Sequence, residues 1–107
     1  MRVELAQAVV VDCIRKIHEF SEKFPLLRLK DVNLLELGRT WGYAGGEVLA
    51  VSMFIEAMHT MNQRSKRNYH IDMNDVKKIQ AVKTKNKWVF EVVSLENKKF
   101  KITHRSR

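Results

Sequence analysis

From Val3 onward the apolar positions Val3, Ala6, Val10, Ile14, Ile17, Phe20 and Phe24 recur at intervals of three and four, the spacing that keeps side chains on one face of an α-helix. Pro25 cannot continue such a helix, so the pattern predicts a first helix that ends before it. A second set, Leu5, Val9 and Val11, widens the apolar surface beyond one stripe. A helix apolar on two sides is expected either between other elements or against a second copy of the chain, so homodimerisation through this helix is one expected outcome.

After the link PLLRLK, Asp31 is placed to cap VNLLELGRTW, with Leu34, Leu35 and Leu37 pointing inward and Gly38 or Gly42 ending the helix. The run WGYAGGE supplies a glycine-rich turn, and Glu47 to Gln63 reads as a third helix, apolar almost all round except for the stripe Ser52, Glu56, His59 and Gln63. Beyond Tyr69 the period switches to two. In KWVFEVVSL, Trp88, Phe90 and Val92 share one face, and in KKFKITH Phe100 and Ile102 oppose Lys99, Lys101 and Thr103, which predicts strands. KKIQAVKT is the expected first strand, with a short helical turn in IDMNDVKK before it and hairpin turns at KNK (85 to 87) and ENK (96 to 98).

These elements make one α+β domain over residues 1–107: three N-terminal helices within 1–63, then a basic loop and a three-stranded antiparallel β-meander within 64–107. One sheet face is expected on the helices and the other rich in lysine. The order is also that of a winged helix-turn-helix, with Lys83 to Lys87 as the wing tip. The third helix argues against base reading, because it offers only Ser52, Glu56, His59 and Gln63 where a recognition helix presents several polar groups to the major groove.

A chain of 107 residues with 45% apolar side chains, one proline and four glycines is long and apolar enough to bury its own core. Its single cysteine, Cys13, cannot form an internal disulfide, so a reducing compartment, by default the cytoplasm, is expected. Glu4 and Asp12 interrupt the only early apolar run, unlike a secretory signal. The most apolar window, Val48 to Met61, is too short for a membrane span and contains Glu56 and His59. No membrane association is expected.

Charge changes the picture most. Residues 1–63 hold seven Lys and Arg against eight Asp and Glu, whereas residues 64–107 hold thirteen against four, so the whole excess of +8 comes from the last two-fifths of the chain. Arg64, Lys66 and Arg67, just past the third helix, exceed what the helix C-terminus needs to offset its partial negative charge. Lys83, Lys85 and Lys87 crowd the first hairpin, Lys99 and Lys101 line the last strand, and Arg105 and Arg107 follow. With Tyr69 offering a ring for a base, these residues point to nucleic acid, DNA or RNA, held by its phosphates. An acidic protein surface is the alternative partner.

Catalytic chemistry finds little support. Glu56 and His59 are spaced as a possible ligand pair, and His18 with Glu22 as another, but a metal site needs more ligands on one spot; a mutually hydrogen-bonded buried stripe is the simpler account of the first pair. Cys13 sits on an apolar helix face, where packing is its expected role. WGYAGGE lacks the Lys-Ser/Thr of a phosphate-binding loop, so its glycines are expected to serve a tight bend. Neither a cofactor nor a metal nor an enzymatic activity is expected.

Overall fold

Residues 2–6 alternate, Val3 and Leu5 on one side and Arg2 and Glu4 on the other, and this period of two makes them a strand, β1 (Arg2–Ala6). The computed structural model describes residues 1–105. Helix α1 (Gln7–Lys23) therefore starts four residues later than the spacing from Val3 predicts. It buries Val10, Cys13 and Ile17 and closes where the Phe24 amide donates to the Phe20 carbonyl, just ahead of Pro25. Asn33, not Asp31, caps helix α2 (Leu34–Thr40), its side chain accepting the Glu36 amide at 3.2 Å. Helix α3 (Gly46–Ser65) follows, then β2 (Val76–Lys83), β3 (Lys87–Ser94) and β4 (Lys99–Arg105). The turn foreseen in IDMNDVKK is present as a 3₁₀ turn, Met73–Asp75, and Asn97 takes the positive φ expected of it in the second hairpin.

The fold is α+β, but its sheet has four strands, antiparallel in the order β1-β2-β3-β4. Two expectations fall with that count: the meander is not three-stranded, and the element order is not that of a winged helix, because a strand precedes the helices. The reason is long-range pairing. Arg2 lies opposite Val82 and Leu5 opposite Ile79, so residues 2–6 complete a ladder whose other half lies some 75 residues away, and backbone hydrogen bonding there outweighs the helical spacing of Val3 and Ala6.

Registers sort the sheet into two faces. Leu5, Ile79, Val92 and Phe100 form one row, and Val3, Ala81, Phe90 and Ile102 the next, both turned towards the helices. Trp88 and Phe90 stack at 5.7 Å between centroids, and Phe54 of α3 meets Phe90 edge-on at 5.4 Å, a geometry that adds to the area these rings bury. Leu5 is fully buried in this core and Val9 packs against it. Of the second apolar set that motivated a dimer, only Val11 remains on the surface. Among the described residues no helix is long and apolar enough to cross a membrane.

Candidate nucleic-acid interface

The cations after α3 are held by a local hydrogen-bond clasp. Ser65 Oγ donates to the Met61 carbonyl at 2.9 Å and accepts the Arg67 amide at 3.3 Å. Lys66, the residue that ends the helix, takes the left-handed conformation with φ 55°. Asn62 then grips the returning chain at both ends, its Oδ1 accepting the Tyr69 amide at 2.8 Å and its Nδ2 donating to the Tyr69 carbonyl at 3.1 Å. Lys66, Arg67 and Tyr69 are thus presented on a folded loop that follows Arg64 in the last turn of α3, and Asn62 and Ser65, which the charge pattern did not single out, organise it.

The second group is set by the period of β4. Lys99, Lys101, Thr103 and Arg105 alternate away from Phe100, Ile102 and His104, so they stand on the face opposite the helices. β4 is an edge strand, with β3 on one side only. Helix α3 runs antiparallel along it: Glu56 Oε1 lies 3.4 Å from Nε2 of His104, while Arg64, two turns on, lines a concavity with Lys101. That concavity, about 400 Å³, has Ala57, Met61 and Ile102 as apolar lining and Thr60, Ser65 and Thr103 as hydroxyl groups. A second of about 720 Å³ shares Thr60, Arg64 and Thr103 with it and adds Lys30 and Arg105. Arg105 in turn borders a third at the β2–β3 hairpin with Lys85 and Lys87. Three concavities that adjoin through shared lining residues therefore follow the outer edge of the molecule from Lys101 to the hairpin.

Two basic clusters result, one at the end of α3 with the start of β4 and one at the β2–β3 hairpin with the end of β4. Lys99 and Arg105 are about 20 Å apart at ~3.3 Å per strand residue. Arg64, Lys101 and Lys30 bridge the interval. Lys30 comes from the first half of the chain, where composition showed no charge excess, and nothing in its local sequence announces that it joins this edge. Lys83 departs from the group. It lies in the row of Trp88 and His104 on the helix side of the sheet, its Nζ 6.0 Å from the Trp88 ring, a cation–π contact.

These cations, like most Lys and Arg side chains of the described surface, have no carboxylate partner. Lys78 is 3.5 Å from Glu4 and Lys98 is 3.5 Å from Glu96. Among the described residues, none of Arg64, Lys66, Arg67, Lys83, Lys85, Lys87, Lys99, Lys101 and Arg105 has a carboxylate within 4.0 Å, but Lys101 lies opposite Glu91 on β3 and borders a concavity on the outer sheet face with Glu4 and Glu91. Glu56, the acid in the groove, is turned to His104, whose side chain is 13% exposed. The stripe on α3 is accordingly not a buried network: Ser52 is buried, but Glu56, His59 and Gln63 are exposed. Arg107 lies outside the described residues.

Elsewhere polar groups tie the elements to one another. Tyr43 donates a short hydrogen bond to Asp12, which also accepts from Arg15 at 2.7 Å and lies 3.3 Å from Lys16. The Tyr43 hydroxyl first, then the Arg15 guanidinium, hold the Asp12 carboxyl down at about 2, and the same bond pushes the Tyr43 hydroxyl up. Cys13 is completely buried and burial raises its thiol, the reverse of what a nucleophile needs. Within WGYAGGE, Gly45 serves close contact with α2: a Cβ on it would lie 2.8 Å from the Leu35 carbonyl oxygen, and a Cβ on Gly38 of α2 would lie 3.0 Å from the Gly45 Cα. Among the described residues no group of three or more His, Cys, Asp and Glu is gathered closely enough to hold a metal ion. Comparison with protein-family models, with curated proteins and with solved structures gives no significant match.

Proposed function

We propose that this protein binds nucleic acid by its phosphate backbone, without catalysis, along the groove between α3 and the edge strand β4. One observation carries the proposal: Arg64 and Lys101 face a single concavity, Lys30 and Arg105 continue it, and among the described residues none of the four has a carboxylate partner. Surfaces built only for solubility intersperse both signs. Gathered cations repel one another, and a polyanion relieves that repulsion while releasing its own counterions. Lys66 supports the same conclusion, because its left-handed backbone favours glycine, and a lysine kept there at a conformational cost of about 1 kcal/mol has a use for its charge.

The lone, buried Cys13 suits a cytoplasmic setting. Binding needs no second subunit, and a dimer through α1 would have to be assembled around Val11.

Gel-shift titration at rising salt tests the proposal. Affinity should fall with a log–log slope of about −0.7 to −0.9 per phosphate engaged. Absence of binding at low salt, or binding indifferent to salt, overturns it. Affinity purification with and without nuclease gives an independent check: a stoichiometric protein partner that survives nuclease would assign the same basic edge to an acidic protein surface.

A further inference from the structure

Taking the proposed nucleic-acid binding as its premise, we infer that the natural ligand of the α3–β4 groove is a single strand, with an unpaired base seated in the notch over Ala57, Met61 and Ile102 and a neighbouring base stacked on Phe100. Three features of the edge lead there. The first is an apolar lining that a duplex could not use. Phosphates would be served by cations on a flat or convex surface, whereas this notch, about 400 Å³, sets apolar side chains between Arg64 and Lys101 and surrounds them with hydroxyls. Apolar lining with a few convergent polar groups is the composition of a site for a flat organic ring, and only an unpaired base can leave its strand to enter one.

The second feature is Phe100. It occupies the helix-facing side of β4, two residues from Ile102, yet it is 46% exposed and stands outside the hydrophobic core. Burial therefore does not account for an aromatic ring between Lys99 and Lys101, and base stacking does: cations for the backbone alternate with a ring for the base, the pairing by which strands are held without sequence preference. Tyr69, 43% exposed beside Arg64, Lys66 and Arg67, offers a second ring of the same kind.

The third feature is that the helix of this edge is not free to enter a duplex groove. Duplex readers insert a helix or a two-stranded ribbon into a groove. Here α3 is packed on the sheet, Phe54 meeting Phe90 edge-on, and its later turns form one wall of the notch, so it cannot also project into DNA. Lys99 and Lys101, by contrast, repeat along an extended strand every second residue, about 6.6 Å, close to the spacing of successive phosphates in an extended single strand.

Fluorescence anisotropy separates the possibilities, using labelled oligothymidine and oligouridine against a duplex of equal length at one salt concentration. The expected result is at least roughly tenfold tighter binding of a single strand than of the duplex, with Phe100→Ala weakening single-strand binding by roughly tenfold. Phe100→Ala should leave the salt slope unchanged, since it removes no phosphate contact, and Phe100→Trp should retain binding; Lys101→Ala should lower the slope by about 0.7. Equal or tighter binding of the duplex, or no loss in Phe100→Ala, overturns the single-strand assignment while leaving the phosphate-binding proposal intact. No binding of any of the three probes overturns both.

Discussion

Lys66 and Gly45 both have backbone that L-residues with side chains avoid, and they respond oppositely to substitution. Lys66 has φ 55°. Lys66→Gly should therefore raise stability by ~0.5–1 kcal/mol, read from a urea or thermal midpoint, and at the same time weaken nucleic-acid binding, read from the gel shift. A variant that is more stable yet binds less well could not be dismissed as unfolded. Gly45 has φ +111° and would bring a Cβ to 2.8 Å from the Leu35 carbonyl oxygen, whereas Gly42 has φ +88° with nothing within 4 Å. Gly45→Ala should cost ~2–3 kcal/mol and Gly42→Ala about 1 kcal/mol, because only the first adds a backbone clash to the strain. A thermal melt of the two variants decides this, and equal losses would mean that the close approach of α2 and α3 is not tight. The glycine-rich run was legible as a bend; which glycine carries the contact was not, since that depends on where α2 lies.

Among the elements, α1 is pinned to the turn before α3 through Asp12 and Tyr43. Asp12 has a folded value of about 2 against its ordinary 3.8, so the stability this contact contributes is fully present above about pH 4 and is lost as pH falls towards 2. Asp12→Asn should flatten that part of the acid-unfolding profile. Tyr43→Phe should move it to higher pH, since the hydroxyl is the largest cause of the depression. Denaturant midpoints measured across the acid range check both, and an unchanged profile in Asp12→Asn would place the acid sensitivity in other carboxylates. The helices α1 and α3 and the strands β2, β3 and β4 could be read from periodicity because each repeats its pattern for two or more turns or for seven or eight residues. β1 could not: five residues whose apolar members also fit the helical spacing become a strand only through their pairing with Lys78–Val82.

For the whole molecule, the question is which cations act together. Lys101 stands on the open edge beside Arg64, whereas Lys83 lies on the helix side over Trp88. Lys101→Glu should reduce nucleic-acid affinity by at least roughly tenfold, and Lys83→Glu distinctly less, because local phosphate contact decides affinity more than net charge does. Equal losses from the two reversals would show that binding follows overall charge alone and would remove the case for a groove. Lys30→Ala belongs to the same comparison: a loss there would show that the edge recruits charge from the first half of the chain.

The sequence by itself determined the amounts: a folded α+β chain, a core of known composition, and a positive excess confined to its last two-fifths, since periodicity and charge are properties of neighbours along the chain. Strand alternation also fixed that Lys99, Lys101 and Arg105 share a face, because successive side chains of any strand point to opposite sides. Only the tertiary structure decided that β4 is an edge, that α3 lies antiparallel along it so that Arg64 meets Lys101, that Lys30 joins them and Lys83 does not, and that Phe100 is left uncovered. Those outcomes follow from which distant segments pair and pack, and pairing is settled by the free energy of the assembled sheet and core, to which no local stretch of the chain holds the key.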